Sequence, residues 1–140
     1  MSASEPSQLP NPEQSKTAGE SWPEHVFKAT GYSLAGIGAT LKHEMAFRIE
    51  VAACFVLLPA VLFIPVGLLF KALVVSSMLL VLMVELLNSA LEWVVDYISL
   101  ERHPFAKKAK DMGSGAVMIA LINSGLFWGL LIIEWGGWLA

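Results

Sequence analysis

Residues 84–96 read VELLNSALEWVVD, and this stretch decides what kind of chain this is. It closes an apolar run that begins near Val66 and, apart from Lys71, carries no charge until Glu85. Glu85, Asn88, Glu92 and Asp96 then follow at steps of three, four and four, which sets all four on one stripe of a helix. A carboxylate in a membrane helix costs about 2.5–3.5 kcal/mol on insertion scales, so it is normally paired, hydrated or used. The residues before the stripe suit lipid and those after it grow more polar. The pattern predicts a polar site cut into a membrane helix near one membrane surface.

Composition agrees with a membrane chain. Of the 140 residues, 56% are hydrophobic and 15% charged, and the mean hydropathy is +0.63. A soluble domain lies nearer about 45–50% apolar and about 25% charged. The lone cysteine, Cys54, stands in an apolar run, which leaves neither a disulfide framework nor a CxxC metal signature.

Outward from the central stretch, the blocks predict an all-α membrane protein. Residues 1–21 are rich in Ser, Pro, Glu and Gln and predict a disordered tail, without the basic start and apolar middle of a signal peptide. The remainder, 22–140, reads as one membrane domain. Over 22–45, Phe27, Leu34, Ile37, Leu41 and Met45 form an apolar stripe, with Glu24, Lys28, Lys42 and His43 off it. That predicts an N-terminal amphipathic helix on the membrane surface, with Trp22 at headgroup level. A first span is predicted over 46–64, with Pro59 inside it, followed by a tight turn at Ile64, Pro65, Val66 and Gly67.

The second span runs from 68 to 98, longer than the ~20 residues of one crossing, so its far end projects into water. Taking Lys71 as the near edge, Glu85 lies ~21 Å and Glu92 ~31 Å along the axis, against a hydrocarbon core of about 30 Å. Glu85 is therefore expected inside the bilayer near the far surface, and Glu92 at that surface. Residues 99–112 are predicted as a polar loop with Arg102, Lys107, Lys108 and Lys110. The third span covers about 113–138; Gly125 and Gly129, four apart, suit close helix contact.

Lys and Arg set the topology. Lys16, Lys28, Lys42 and Arg48 precede or open the first span, four more basic residues fill 99–112, and the C-terminus has none. The positive-inside rule places the N-terminus and the basic segment in the cytoplasm. That side gathers Glu44, Glu50, Glu85, Glu92, Asp96, Glu101 and Asp111 together with Lys28, Arg48, Lys107, Lys108 and Lys110. Carboxylates suit Mg²⁺ carried by substrate phosphates, lysines suit a polyphosphate, and the deepest acid, Glu85, suits a general base. The set fits phosphoryl transfer to an alcohol dissolved in the membrane. It also fits snorkelling charges around a structural polar pair, or a non-catalytic component or ion pathway. Nucleotide motifs of the GxxxxGK[ST] and protein-kinase types are absent from the sequence, and HEMAF at His43 lacks the second histidine of HExxH.

Four segments carry a resemblance: KATGYS (28–33), HEMAFRIE (43–50), VELLNSALEWVVD (84–96) and AKDMGSGAV (109–117). In order and spacing they closely resemble the prokaryotic integral-membrane diacylglycerol kinase family over about 25–135. The resemblance implies a homotrimer of three-span subunits in the bacterial inner membrane, with active sites shared between neighbours at the cytoplasmic face. It implies MgATP-dependent phosphorylation of diacylglycerol to phosphatidic acid; undecaprenol kinases share the same signatures. By position, Glu85 would be the general base, supported by Asn88, and Glu44 and Glu92 would hold the divalent metal on ATP. Tyr32, Glu101, His103, Lys110 and Asp111 would contact the nucleotide, while Ala29, Thr30, Gly31, Ser33 and Ser114 would border the lipid headgroup. His25 stands where well-known members have Arg, Leu34 follows GYS where Trp is usual, and Arg102 replaces an aromatic; none of these removes a core carboxylate.

Overall fold

The computed structural model describes residues 21–98, 101 and 103–138; the expected tail up to residue 20 and the departure at Arg102 lie outside the described residues. Four helices follow one another: α1 (Trp22–His43), α2 (Met45–Phe63), α3 (Leu68–Ile98) and α4 (Pro104–Trp135). Among the described residues there is no strand. α2, α3 and α4 are long and apolar enough to cross a membrane. The chain divides into two compact units, one ending at Gly36 and one running from Ile37 onward. In the first, Lys28 pairs with Glu24 at 3.0 Å, and the Thr30 and Ser33 hydroxyls bond back to the Val26 and Ala29 carbonyls at 2.9 and 3.0 Å.

Helix boundaries follow local chemistry. The residue before a proline disfavours the helical region, and Ile64 ends α2 in an extended conformation (φ −70°, ψ 126°) ahead of Pro65. The predicted turn is confirmed by a 2.9 Å bond from the Val66 N–H to the Ile64 carbonyl. Lys71, one turn into α3, reaches back and donates to the Leu62 carbonyl at 2.8 Å, satisfying an acceptor at the end of α2.

Two boundaries differ from expectation. Residues 99–112 were predicted as a loop, but α4 already starts at Pro104, so Lys107, Lys108, Lys110 and Asp111 lie on its first turns. The start is built locally. Pro104 suits the first helical position, the His103 ring accepts a hydrogen bond from the Phe105 N–H at 3.3 Å, and Lys107 pairs with Asp111 one turn on. The second difference is Glu44, which breaks the chain between α1 and α2 with an extended backbone (φ −103°, ψ 117°).

α3 is the central element of the second unit and packs against both α2 and α4. Its buried row is Val74, Ser77, Met78, Val81, Glu85 and Ser89, a helical stripe of steps of three and four. Val74 and Met78 join Cys54, Val61 and Leu131 in the core, with Leu58, Phe127 and Trp128 around it. α4 turns Gly113, Ala120, Ser124 and Leu131 inward on a repeat near 3.5 residues. Ser77 donates to the Val74 carbonyl at 2.8 Å, and across the seam the Ser77 and Ser124 hydroxyls hydrogen-bond at 3.2 Å, a membrane hydrogen bond worth ~0.6 kcal/mol. Gly125 and Gly129, expected to suit close contact, meet nothing within 4 Å inside the chain, because the inward row lies one position before them. The outward faces carry Phe55, Phe63, Leu69, Ile119 and Leu126, exposed as lipid-compatible side chains are.

Leu131 is fully buried. Leu131→Ala is expected to lower the unfolding free energy by about 2–4 kcal/mol, read by SDS titration in mixed micelles. A change within error of zero would contradict the core described here.

Candidate functional site

The predicted stripe exists, and its burial is graded. Glu85 is 5% exposed and sits in the same row as Val81 and Ser89, Asn88 and Glu92 are half-buried, and Asp96 is exposed. Burial within the chain falls along α3 from Glu85 to Asp96. The second unit brings Glu44, half-buried, to the same region: both Glu92 and Glu44 interact electrostatically with Glu85. Asn88 links two of the stripe residues, its Nδ2 donating to Glu92 Oε1 at 3.2 Å.

Glu50 also belongs here, although the sequence reading placed it only among the acids of that side and gave it no role. It interacts electrostatically with Glu85 and is half-buried one turn and a half past Glu44 on α2. Among the described residues three buried polar atoms lack a hydrogen-bond partner: Glu50 Oε2, Asn88 Oδ1 and Ser89 Oγ. Buried polar groups are normally satisfied, and exceptions concentrate where a protein does chemistry. The signal for Glu50 was present in the sequence as an acid six residues beyond Glu44, but only packing shows which way it faces.

At the surface end, Lys110 Nζ on α4 pairs with Asp96 Oδ1 on α3 at 2.6 Å, both half-exposed, and ties the two helices. Asp111 pairs with Lys107 on its own helix, and His103 is engaged as the α4 cap with its ring beside Phe105 at 5.4 Å. Glu101 is exposed in the α3–α4 connection, and Ser114 is exposed one turn past Lys110. Tyr32, Ala29, Thr30, Gly31 and Ser33 belong to the first unit, where all are exposed. The structure therefore gathers Glu44, Glu50, Glu85, Asn88 and Glu92 in one place, with Asp96 and Lys110 at its outer edge. His103 and Asp111 make local contacts.

Two further residues shape the cluster. Gly113 lets the α4 backbone approach Asn88: a β-carbon there would collide with Asn88 Oδ1. Trp93 Nε1 donates to Glu44 Oε1 at 3.0 Å. No sequence periodicity signals either contact, since each joins residues far apart in the chain.

Among the described residues no group of three or more His, Cys, Asp or Glu is arranged to hold a metal ion by itself. Mg²⁺ is usually bound by one or two carboxylates plus substrate phosphates rather than by a complete protein cage.

Residues 31–132 match the sequence family described as prokaryotic diacylglycerol kinase. The diacylglycerol kinase of Pseudomonas aeruginosa is 44% identical over 115 residues, covering 82% of this chain and 94% of that protein. The diacylglycerol kinase of Haemophilus influenzae is 45% identical over 105 residues, 75% of this chain and 89% of its own length. That of Escherichia coli K12 is 42% identical over 107 residues, 76% and 88% respectively.

The Gly113–Asn88 approach is testable by stability. Gly113→Ala is expected to force the Asn88 carboxamide aside, and to couple to Asn88→Ala by about 0.5–3 kcal/mol. SDS unfolding of the single and double variants reads the coupling; costs that simply add would contradict it.

Proposed function

Because the chain belongs to the prokaryotic diacylglycerol kinase family, we propose that it transfers the γ-phosphoryl group of ATP to the free hydroxyl of diacylglycerol, giving phosphatidic acid and ADP. The observation that supports this reading most is the place of Glu85. It is a buried carboxylate in the core row of a membrane-spanning helix, with Glu44, Glu50 and Glu92 around it. A lipid hydroxyl approaches from the apolar side and a polyphosphate from the aqueous side, and a buried base at their boundary can serve both.

Glu85 takes the proton of the lipid hydroxyl as its oxygen attacks the γ-phosphorus. The bond from that phosphorus to the β–γ bridging oxygen breaks, and ADP leaves with the electron pair. Phosphoryl transfer of this kind depends mainly on positioning and charge neutralisation. Glu44 and Glu92 would hold Mg²⁺ on the nucleotide. The ion, when bound, neutralises phosphate charge. Asn88 holds Glu92 through its carboxamide, so base and metal-side acid stay in register along α3. Lys110 meets the phosphates, and its pairing with Asp96 keeps it at the mouth of the site. Tyr32, Glu101, His103 and Asp111 complete the nucleotide contacts. Ala29, Thr30, Gly31, Ser33 and Ser114 border the glycerol headgroup.

The assembly is a homotrimer in the bacterial inner membrane, with active sites shared between subunits at the cytoplasmic face. The distribution of Lys and Arg supports that orientation. Lys107, Lys108 and Lys110 lie on the first turns of α4, at the same end of α3 as Glu92 and Asp96. The apolar stripe of α1 suits an amphipathic helix at a membrane surface.

Transfer of labelled γ-phosphate from MgATP in mixed micelles tests the reading, with diacylglycerol and undecaprenol offered separately. Label in phosphatidic acid is the expected result. Label only in the polyprenol would keep the chemistry and change the acceptor. No label in either, from protein shown to be folded, would return the stripe to a structural or ion-pathway role.

A further inference from the structure

Glu44 is the single residue between α1 and α2, and its side chain makes no capping hydrogen bond to the first turn of α2. An acid at that position ordinarily turns to the unpaired N–H groups of the helix it precedes. Here Oε1 instead accepts a 3.0 Å hydrogen bond from Trp93 Nε1 on α3. The indole is braced in turn by His43, whose ring meets it edge-on at 5.6 Å and 70°. Trp93 follows Glu92 directly in the chain, so one turn of α3 carries both a carboxylate of the proposed metal pair and the group that holds the other.

We propose that Trp93 is a positioning residue that ties the α1–α2 break to α3 and orients the Glu44 carboxylate for a nucleotide-borne divalent cation. This rests on the reading of Glu44 and Glu92 as the metal-side acids. The chemistry of the donor favours it. An indole N–H is a neutral donor with no acceptor capacity, so it fixes one carboxylate oxygen without neutralising the charge. A lysine or arginine in its place would compete with the cation. The bond engages Oε1 and leaves the second oxygen for the ion. Carboxylates that bind metals are commonly held by such outer hydrogen bonds, and loss of the outer partner typically weakens metal binding or activity about 10–100-fold. Tryptophan also suits the headgroup level, where an apolar ring and a polar N–H are both accommodated, and this ring is half exposed.

The test uses the full chain in mixed micelles and a readout independent of turnover. Binding of the Mn²⁺ complex of β,γ-methylene ATP is followed by water-proton relaxation enhancement. Trp93→Phe keeps an aromatic ring beside His43 and removes the N–H; it is expected to weaken binding about tenfold. Glu44→Gln should weaken it at least as much, and the double variant no further than Glu44→Gln alone. Trp93→Gln, which restores an N–H donor, should bind more tightly than Trp93→Ala, and this pair makes the same comparison if Trp93→Phe does not fold. Binding by Trp93→Phe equal to wild type while Glu44→Gln is impaired would overturn the proposal, as would losses that add in the double variant, or Gln no better than Ala. A Glu44→Gln protein that binds as wild type does, or wild type that binds no Mn²⁺-nucleotide, would overturn the metal reading itself and the proposal with it.

Discussion

Glu85 occupies the buried row of α3 between Val81 and Ser89, where every other member is apolar or a small hydroxyl. Burial there is costly for a carboxylate, and Glu92, Glu44 and Glu50, which interact electrostatically with it, are acids as well. No stability argument favours such a cluster: a core of the same shape built from Leu and Val would hold the helices together better. The cluster instead suits a site whose ligands bring the missing positive charge and whose reaction needs a proton acceptor at the edge of the lipid. Much of the surrounding structure can be understood as holding these acids in fixed relation.

That holding is distributed over α3 and α4. Asn88 fixes Glu92 from within α3. Gly113 lets α4 close over Asn88. Lys110 and Asp96 lock the surface ends of α4 and α3. Deeper in the bundle, the Ser77–Ser124 bond and the packing around Leu131 set the register of the same two helices. The acid-bearing end and the packed end of α3 lie on one continuous helix.

The spans and the polar stripe were legible in the sequence because both are periodic and local. The start and end of α3 were read to the residue, since Pro65 and Gly67 punctuate one end and composition changes at the other. The start of α4 was not, because FAKKAKDM reads as a polar loop by charge alone. In the structure its alanines, its cap at His103 and the Lys107–Asp111 pair make it helix. The break between α1 and α2 was expected at residues 45–46 and lies at Glu44; no glycine or proline marks the exact residue. Trp93 and Gly113 act through partners distant in sequence, and Glu50 needed the packing of α2 on α3 to show its direction. Glu44 was legible only through resemblance.

The central claim is that Glu85 acts on the proton of the acceptor hydroxyl. Single-turnover phosphoryl transfer by Glu85→Gln, alongside its affinity for lipid and nucleotide, tests this most directly. The substitution preserves size and hydrogen-bonding reach but not basicity. The account predicts a folded protein that binds both substrates normally and whose rate of transfer falls by roughly a hundredfold to ten-thousandfold. A folded variant that transfers phosphate at the wild-type rate, or that loses only substrate affinity, would contradict it.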